Sequence, residues 1–212
     1  MAFGDLTTLS DVKAWLATGA APFPSTDDAL LTRLVTAASQ FIETWLHRPV
    51  LSADWQELRD GTGGQRLVFA NFPVTAVLSL TIDGLSIPPA PNDGGFAPGY
   101  SFTATELALR GYVFTRRAQN VVVAYTAGYG SVPLDIAQAC IELVCQRYKQ
   151  RSRIGEVAKS RGTSETVTFS QKDLSDSVKT ILAQYRAPAP VSPYIRVPAP
   201  SATDPALLAA AL

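Results

Sequence analysis

The chain has 212 residues and a formal net charge of zero, with 18 basic residues against 18 acidic ones. This length and a hydrophobic content of 47% indicate one globular domain, or one domain with appendages, and the neutral balance gives no bulk reason to expect nucleic-acid binding. The sequence lacks both a run of the ~20 apolar residues that a membrane helix needs and a signal peptide, so we expect a soluble, intracellularly made protein with no membrane partner.

Residues 1–50 predict a helical hairpin. Ser10 is a suitable N-cap for a first short helix, in which Trp15 lies on the apolar face. Apolar positions then recur at helical spacing over residues 30–46. The second helix must end before Pro49, because the residue that precedes a proline avoids helical backbone angles.

Residues 51–127 change to a period of two, which predicts an inserted antiparallel sheet. The glycine-rich stretch 60–64 is interpreted as the turn of a hairpin, whose returning strand is Arg66–Phe69. In the following strand, Val74–Ile82, Leu78 is expected on the same face as the other large apolar residues. The remaining predicted strands are Glu106–Leu109, Tyr112–Thr115 and Val121–Thr126.

Residues 128–186 predict a long helix, a polar loop and a last helix, which complete the helical core. Pro133 stands where the long helix would begin, a position at which its missing N–H costs nothing. Cys140 and Cys145 lie five positions apart on this helix and point to different faces, so we expect two buried free cysteines. The last helix is expected to begin near Asp173 or Ser175.

Residues 187–212 form a proline-rich tail. Its prolines favour an extended, polyproline-like path without a core of its own, and the apolar tip Leu207–Leu212 follows. Two interpretations are open: an arm that reaches for a partner, or a terminus without fixed structure.

No pattern in the sequence predicts catalysis. His47, the only histidine, has no cysteine or carboxylate at metal-binding spacing and lies at the end of a predicted helix, where a capping or surface role is expected. No serine stands in a Gly-x-Ser-x-Gly turn, and the glycines of 60–64 lack the lysine of a phosphate loop. We therefore expect a protein that is not an enzyme, with no cofactor, no metal site and no catalytic residue.

One-third of the basic residues fall in a short stretch, called here the basic cluster. Its members are Arg147, Lys149, Arg151, Arg153, Lys159 and Arg161. One interpretation is contact with DNA phosphates or with an acidic protein surface. The other is complementarity to the helix dipole followed by a solvated loop. Aromatic residues do not alternate with these cations in a stacking series, so base-specific readout is not expected.

The sequence resembles the head–tail connector (adaptor) proteins of long-tailed bacteriophages. Four phrases carry the resemblance: LSDVKAWL with DDALLTRLVTAASQFIETWLHRPV, FPVTAVLSLTIDG, VVVAYTAGYGSVPLDIAQACIELVCQRYKQR, and DLSDSVKTILAQYR. They look like the first two helices, a strand of the longer members, the strand-to-long-helix junction and the final helix of that family. Together they span most of Leu9–Arg186.

The fold expected from pattern and resemblance is α+β. It consists of a small bundle of about four helices, an inserted antiparallel β-sheet and an extended C-terminal tail. Its expected segments are 1–50 (helical hairpin), 51–127 (sheet), 128–186 (long helix, loop and last helix) and 187–212 (tail or arm).

The resemblance implies a structural protein of the virion neck, assembled in the host bacterial cytoplasm. Such a subunit forms a ring, expected to be twelvefold, which binds beneath the portal protein, extends the channel for double-stranded DNA and docks the stopper or tail. Another neck component (stopper or tail-completion protein) and a DNA-binding accessory factor using residues 147–161 are the alternatives. The basic cluster is the candidate surface for facing either DNA or the portal. Candidate portal-binding residues in the tail are Tyr194, Ile195, Arg196, Leu207, Leu208 and Leu212.

Overall fold

The computed structural model of the protein describes residues 4–17, 23–91, 97–151, 158–161, 165–168, 174–186 and 195–198, with the backbone alone at 158–161, 165–168, 177 and 195–198. In chain order its elements are α1 (Leu9–Leu16), α2 (Asp28–Leu46), β1 (Ala53–Arg59), β2 (Arg66–Val68), β3 (Val74–Ile82), β4 (Leu85–Ser86), β5 (Gly99–Phe102), β6 (Glu106–Arg110), β7 (Val121–Ala127), α3 (Leu134–Gln150), β8 (Ala158–Arg161), β9 (Glu165–Thr168), α4 (Asp176–Ala183) and β10 (Ile195–Pro198).

These elements fall into two compact units. The helical unit consists of Met1–Val50 with Ser131–Pro188, and the β unit of Leu51–Gly130 with Ala189–Leu212. Four helices and several antiparallel sheets within the described residues confirm the predicted α+β class. No helix of the described ranges is both long enough and apolar enough to cross a membrane.

The helical unit has its core between α2 and α3. The buried side chains of these two helices recur at helical spacing, as the sequence predicts; on α3 they are Ile136, Ala139, Cys140, Ile141, Leu143, Val144, Cys145 and Tyr148. Both cysteines are free and buried, and burial raises the pKa of each thiol to about 11. Ser39 of α2 contacts Cys140 at 3.7 Å between Oγ and Sγ, so the helices touch closely at mid-length.

Two predictions about α1 are wrong. Thr8, not Ser10, is the N-cap: the Asp11 N–H donates to Thr8 Oγ1 at 3.1 Å, because the helix begins one residue before Ser10. Trp15 is 54% exposed instead of buried, while Val12 and Leu16 face the core.

The β unit consists of two described sheets that share one core. The larger has the strand order β10-β1-β7-β3-β4 and the smaller has the order β2-β6-β5, with antiparallel pairing throughout. The central strand β7 alternates buried and half-buried residues along its whole length, as expected for a strand with one face on the core. Tyr125, on that buried face, packs against Phe69 with 4.7 Å between the ring centroids.

The predicted hairpin between β1 and β2 does not form. β1 pairs with β7, and β2 pairs with β6 of the other sheet. The glycine-rich stretch between them instead bonds to residues 114–120: the Gly61 N–H donates to the Arg117 carbonyl at 2.9 Å and the Gly63 N–H to the Phe114 carbonyl at 2.6 Å. Tyr112–Thr115, predicted as a strand, is an irregular segment in the structure and takes part in these bonds.

Leu78 does not share the buried face of β3. The register of β3 against β7 shifts between Val74 and Ala76 and again between Val77 and Ser79. Each extra residue turns the following side chains to the other face. Leu78 is consequently 56% exposed.

A buried polar network links β1, β7 and the chain after β2. Glu57 is fully buried and accepts hydrogen bonds from the Tyr125 hydroxyl and, at 3.2 Å, from the Ala70 N–H. Arg59 Nη1 lies 3.3 Å from the other carboxylate oxygen, which compensates the buried charge. The Asn71 N–H donates to the Tyr125 hydroxyl at 3.2 Å. Burial and the Glu57 charge raise the pKa of Tyr125, so the phenol stays protonated and remains a donor.

We expect Tyr125→Phe to lower the free energy of unfolding by about 2–3 kcal/mol, because it leaves a buried carboxylate and a buried amide without their shared partner. Urea denaturation followed by circular dichroism measures this. Tyr100→Phe is the matched control, since the Tyr100 hydroxyl makes a long 3.4 Å bond to the Val77 carbonyl, and about 0.5 kcal/mol is expected there. Equal losses for the two variants would contradict the role assigned to the network.

Candidate functional site: the two ends of the helical unit

The C-terminal end of α3 is fixed to the start of α2 through Asp27. The buried Tyr148 donates its hydroxyl hydrogen bond to Asp27 Oδ2, and this bond raises the pKa of Tyr148. Arg151 lies with its guanidinium carbon 3.8 Å from the centre of the Tyr148 ring, and its Nη2 is 3.2 Å from the same Asp27 oxygen. Phe23 closes the group with an edge-on contact to Tyr148 at 5.8 Å. We call Phe23, Asp27, Tyr148 and Arg151 the basic-end clamp.

The basic cluster is therefore divided. Arg147 is half-buried, with its guanidinium 4.9 Å from the centre of the Phe41 ring, and Arg151 belongs to the basic-end clamp. Lys149 is exposed at the same end of α3. Arg153 lies outside the described residues, and Lys159 and Arg161 are placed by the backbone of β8, which pairs with β9.

The opposite end of the helical unit holds the root of the tail. Arg48, 2% exposed, donates from Nε to the Tyr185 carbonyl at 2.7 Å, and the Tyr185 hydroxyl donates to Asp135 at 2.6 Å. Arg186 donates from Nη2 to His47 Nε2 at 3.0 Å and lies 5.1 Å from the centre of the Trp45 ring. These contacts join the end of α4 to the end of α2 and the start of α3. The chain enters residues 187–212 from a fixed position.

His47 has the capping role that its position in the sequence predicts. Its backbone is left-handed, with φ of 59°, and its N–H bonds to the Glu43 and Thr44 carbonyls at the end of α2. Because a guanidinium can only donate, His47 Nε2 is the acceptor toward Arg186.

The two ends are separated by the length of α3. A helix of 17 residues is about 25 Å long at 1.5 Å per residue. Lys149 and Arg151 therefore lie far from the root of the tail, so one small partner surface cannot contact both. Leu134, the first residue of α3, is 87% exposed at the tail-root end.

Within the described ranges, no group of three His, Cys, Asp or Glu side chains could hold a metal ion. At both ends, Asp27, Arg48, Asp135, Arg151 and Arg186 contact partners in the same unit. Each end exposes a different surface to a partner. Lys149 and Arg151, called here the basic rim, are exposed at one end, and Leu134 is exposed beside the tail root at the other.

Sequence patterns did not predict the basic-end clamp. In the sequence, Ser25 or Thr26 is the expected N-cap of the second helix, and the adjacent carboxylates Asp27 and Asp28 are expected to support its start. In the structure Asp27 is the N-cap residue of α2, and its side chain makes no capping bond but accepts hydrogen bonds from Tyr148 and Arg151. A contact 121 residues away leaves no periodic trace in the sequence.

A family model for head completion proteins matches residues 5–187 of the chain. The chain belongs to the head completion protein family. This match confirms the resemblance to phage connector proteins. It covers the helices α1–α4 and the strands β1–β9, and it ends before β10. No curated protein matches the chain at a significant level of sequence similarity.

Two solved structures have the fold of this head completion protein. A chain of the neck of an empty GTA particle, computed with C6 symmetry, is 20% identical, with a TM-score of 0.54, and the match covers 90% of this chain and 94% of that chain. A chain of the virion of a native gene transfer agent (GTA) particle is 18% identical, also with a TM-score of 0.54, and covers 91% and 95%. At this identity the likeness shows a shared fold over nearly the full length of both chains.

We expect Arg151→Ala to destabilise the head completion protein by about 1 kcal/mol, because the side chain combines ring stacking with a half-exposed ion pair. Lys149→Ala, at the exposed neighbouring cation, should change the free energy of unfolding by less than about 0.5 kcal/mol. Chemical denaturation of the two variants at low and high salt measures both. If Lys149→Ala costs as much as Arg151→Ala, the division of the basic cluster is wrong.

Proposed function

We propose that this head completion protein is a structural subunit of the virion neck, an adaptor that forms a ring beneath the portal. In this role it extends the DNA channel, docks the stopper or tail, and carries out no enzymatic reaction. The family match over residues 5–187 is the observation that carries the proposal. The fold shared with a chain from the neck of a GTA particle, over 94% of that chain, supports it.

The ring has twelve copies in this proposal. The neck of the GTA particle was computed with C6 symmetry, and a twelvefold ring contains that sixfold axis. Neighbouring copies need surfaces that the isolated chain leaves open. The β unit carries several large apolar side chains that are more than two-fifths exposed: Val68, Leu78, Leu85, Phe102 and Val113. Scattered exposed apolar residues are ordinary, but a ring subunit can bury such residues against its neighbours.

The two ends of the helical unit have different partners in this arrangement. The tail leaves from the end that carries Leu134, so this end faces the portal, and the tail tip with Leu207, Leu208 and Leu212 is the segment that binds the portal. The basic end, about 25 Å away along α3, faces the DNA channel or the stopper. The tip and Tyr194 lie outside the described residues, whereas Ile195 and Arg196 are part of β10.

Two truncations separate the parts of the tail. A chain that stops after Pro198 keeps β10 and loses the apolar tip; it should still form rings but bind the portal at least tenfold more weakly. A chain that stops after Arg186 loses both and should be impaired in both. Electron microscopy of particles purified with the portal, together with a pull-down at graded portal concentration, measures the two properties. If the chain that stops after Pro198 binds the portal as strongly as the full chain, the tip is not part of the portal interface.

A DNA-binding accessory factor is the rival role for the basic cluster. The structure favours passive lining of a channel, because Arg147 and Arg151 already contact Phe41, Tyr148 and Asp27 of their own unit. Lys149 is exposed at that end of α3.

The salt dependence of DNA binding decides between these roles. One or two phosphate contacts predict an affinity that falls about 3- to 12-fold between 50 and 200 mM salt, whereas six contacts predict a fall on the order of 10³. Fluorescence anisotropy with a double-stranded oligonucleotide measures the slope. Lys149→Ala should flatten it, and Arg110→Ala on the β unit is the control of equal charge change. A steep slope would favour the accessory factor.

A further inference from the structure

The two edges of the larger sheet differ in a way that bears on assembly. At one edge, β4 covers only Thr81 and Ile82 of β3, and the rest of β3 carries the two register shifts described above. Bulges twist an edge away and hinder the pairing of a further strand. At the other edge, β1 pairs with β7 over all seven residues, Ala53–Arg59, without a shift. The regular edge is the one suited to accept a strand.

β10 occupies that regular edge. It pairs antiparallel with β1 over four positions, from Trp55 opposite Pro198 to Leu58 opposite Ile195. Such pairing is made by backbone groups, so the register would be the same whichever copy of the chain supplied the strand. Glu57, the buried centre of the polar network, lies opposite Arg196 in this register.

β10 reaches the sheet from the other unit. α4 and residues up to Pro188 belong to the helical unit, whereas β10 belongs to the β unit. Eight residues, 187–194, join Arg186 to Ile195, and three of them are prolines. Because the β10–β1 pairing is made by backbone groups, a neighbouring copy of the chain can supply this strand with the same register.

We propose that β1 of one copy accepts the segment Ile195–Pro198 of a neighbouring copy in the assembled ring. This inference rests on the proposed ring. Each copy then donates one strand and accepts one, which is a head-to-tail contact that closes when the rotation between copies completes a circle. The neighbour's edge stands at a high effective concentration in the ring, so the exchange needs no contact beyond those seen in one chain.

Cysteine pairs test the exchange in the full-length protein. Gln56 and Val197 lie opposite each other in the register, at a Cα separation of about 4.5–5.5 Å expected for antiparallel neighbours. That separation suits a disulfide. Chains with Gln56→Cys and chains with Val197→Cys are mixed in equal amounts, assembled with the portal, oxidised and analysed on denaturing gels. The native Cys140 and Cys145 are buried, and the unmodified chain controls for them.

Exchange predicts disulfide-linked dimers that contain about half of the chains, because random mixing makes one junction in four reactive. Ser52→Cys mixed with Val197→Cys is the matched control: Ser52 lies four residues before Gln56, roughly 13 Å along the strand, and should give no dimer.

The double variant Gln56→Cys/Val197→Cys distinguishes the remaining outcomes. In rings built by exchange it gives covalent ladders of several chains. Rings in which this variant forms a disulfide within single chains, or forms none, overturn the exchange while leaving the proposed adaptor role intact. Failure of the unmodified chain to form rings with the portal overturns the adaptor role itself, and the exchange with it.

Discussion

The position of α3 depends on two carboxylates, one at each of its ends. Asp27 receives Tyr148 and Arg151 at the C-terminal end, and Asp135 receives Tyr185 at the N-terminal end. Each carboxylate joins segments distant in sequence, so the ends of α2, α3 and α4 are fixed relative to one another. The consequence for function is that the basic rim and the root of the tail cannot move independently. When a partner binds one end of the helical unit, the position of the other end relative to that partner is therefore determined.

The β unit is organised around a different constraint, the burial of a charge. Glu57 has no exposure, and its carboxylate is compensated by Tyr125, Arg59 and the Ala70 N–H. Losing any one partner leaves a costly buried charge, so the network fixes how β1, β7 and the chain after β2 come together. β1 in turn pairs with β7 over all seven residues without a register shift. The core of the unit thus prepares the edge on which β10 pairs.

Local patterns in the sequence predicted most elements, and long-range pairing accounts for the errors. The helical spacing of α2 and α3, the capping of α4 by Ser175 and the period of two in β7 are local properties, and the structure has them. The prediction of a hairpin between β1 and β2 was wrong because the glycine-rich stretch forms its hydrogen bonds with residues 114–120. The predicted burial of Leu78 was wrong because a β-bulge depends on the pairing with the partner strand, which the local sequence does not show. In the same way, six clustered cations look equivalent in sequence, whereas contacts with Phe41, Tyr148 and Asp27 distinguish Arg147 and Arg151 from Lys149 in the structure.

The tail is better understood as three consecutive parts than as one arm. Its root is held by His47 and Arg48 through Arg186 and Tyr185, and its middle, Ile195–Pro198, is a strand on β1. The 14 residues after Pro198 can span at most about 50 Å when fully extended. If the middle part pairs with a neighbouring copy, the tip starts from the neighbour's sheet and not from its own. Contacts of the tip with the portal would then depend on ring formation, because a free subunit would not present the tip from that position. Strand exchange would thereby order assembly, with the ring first and firm attachment to the portal second.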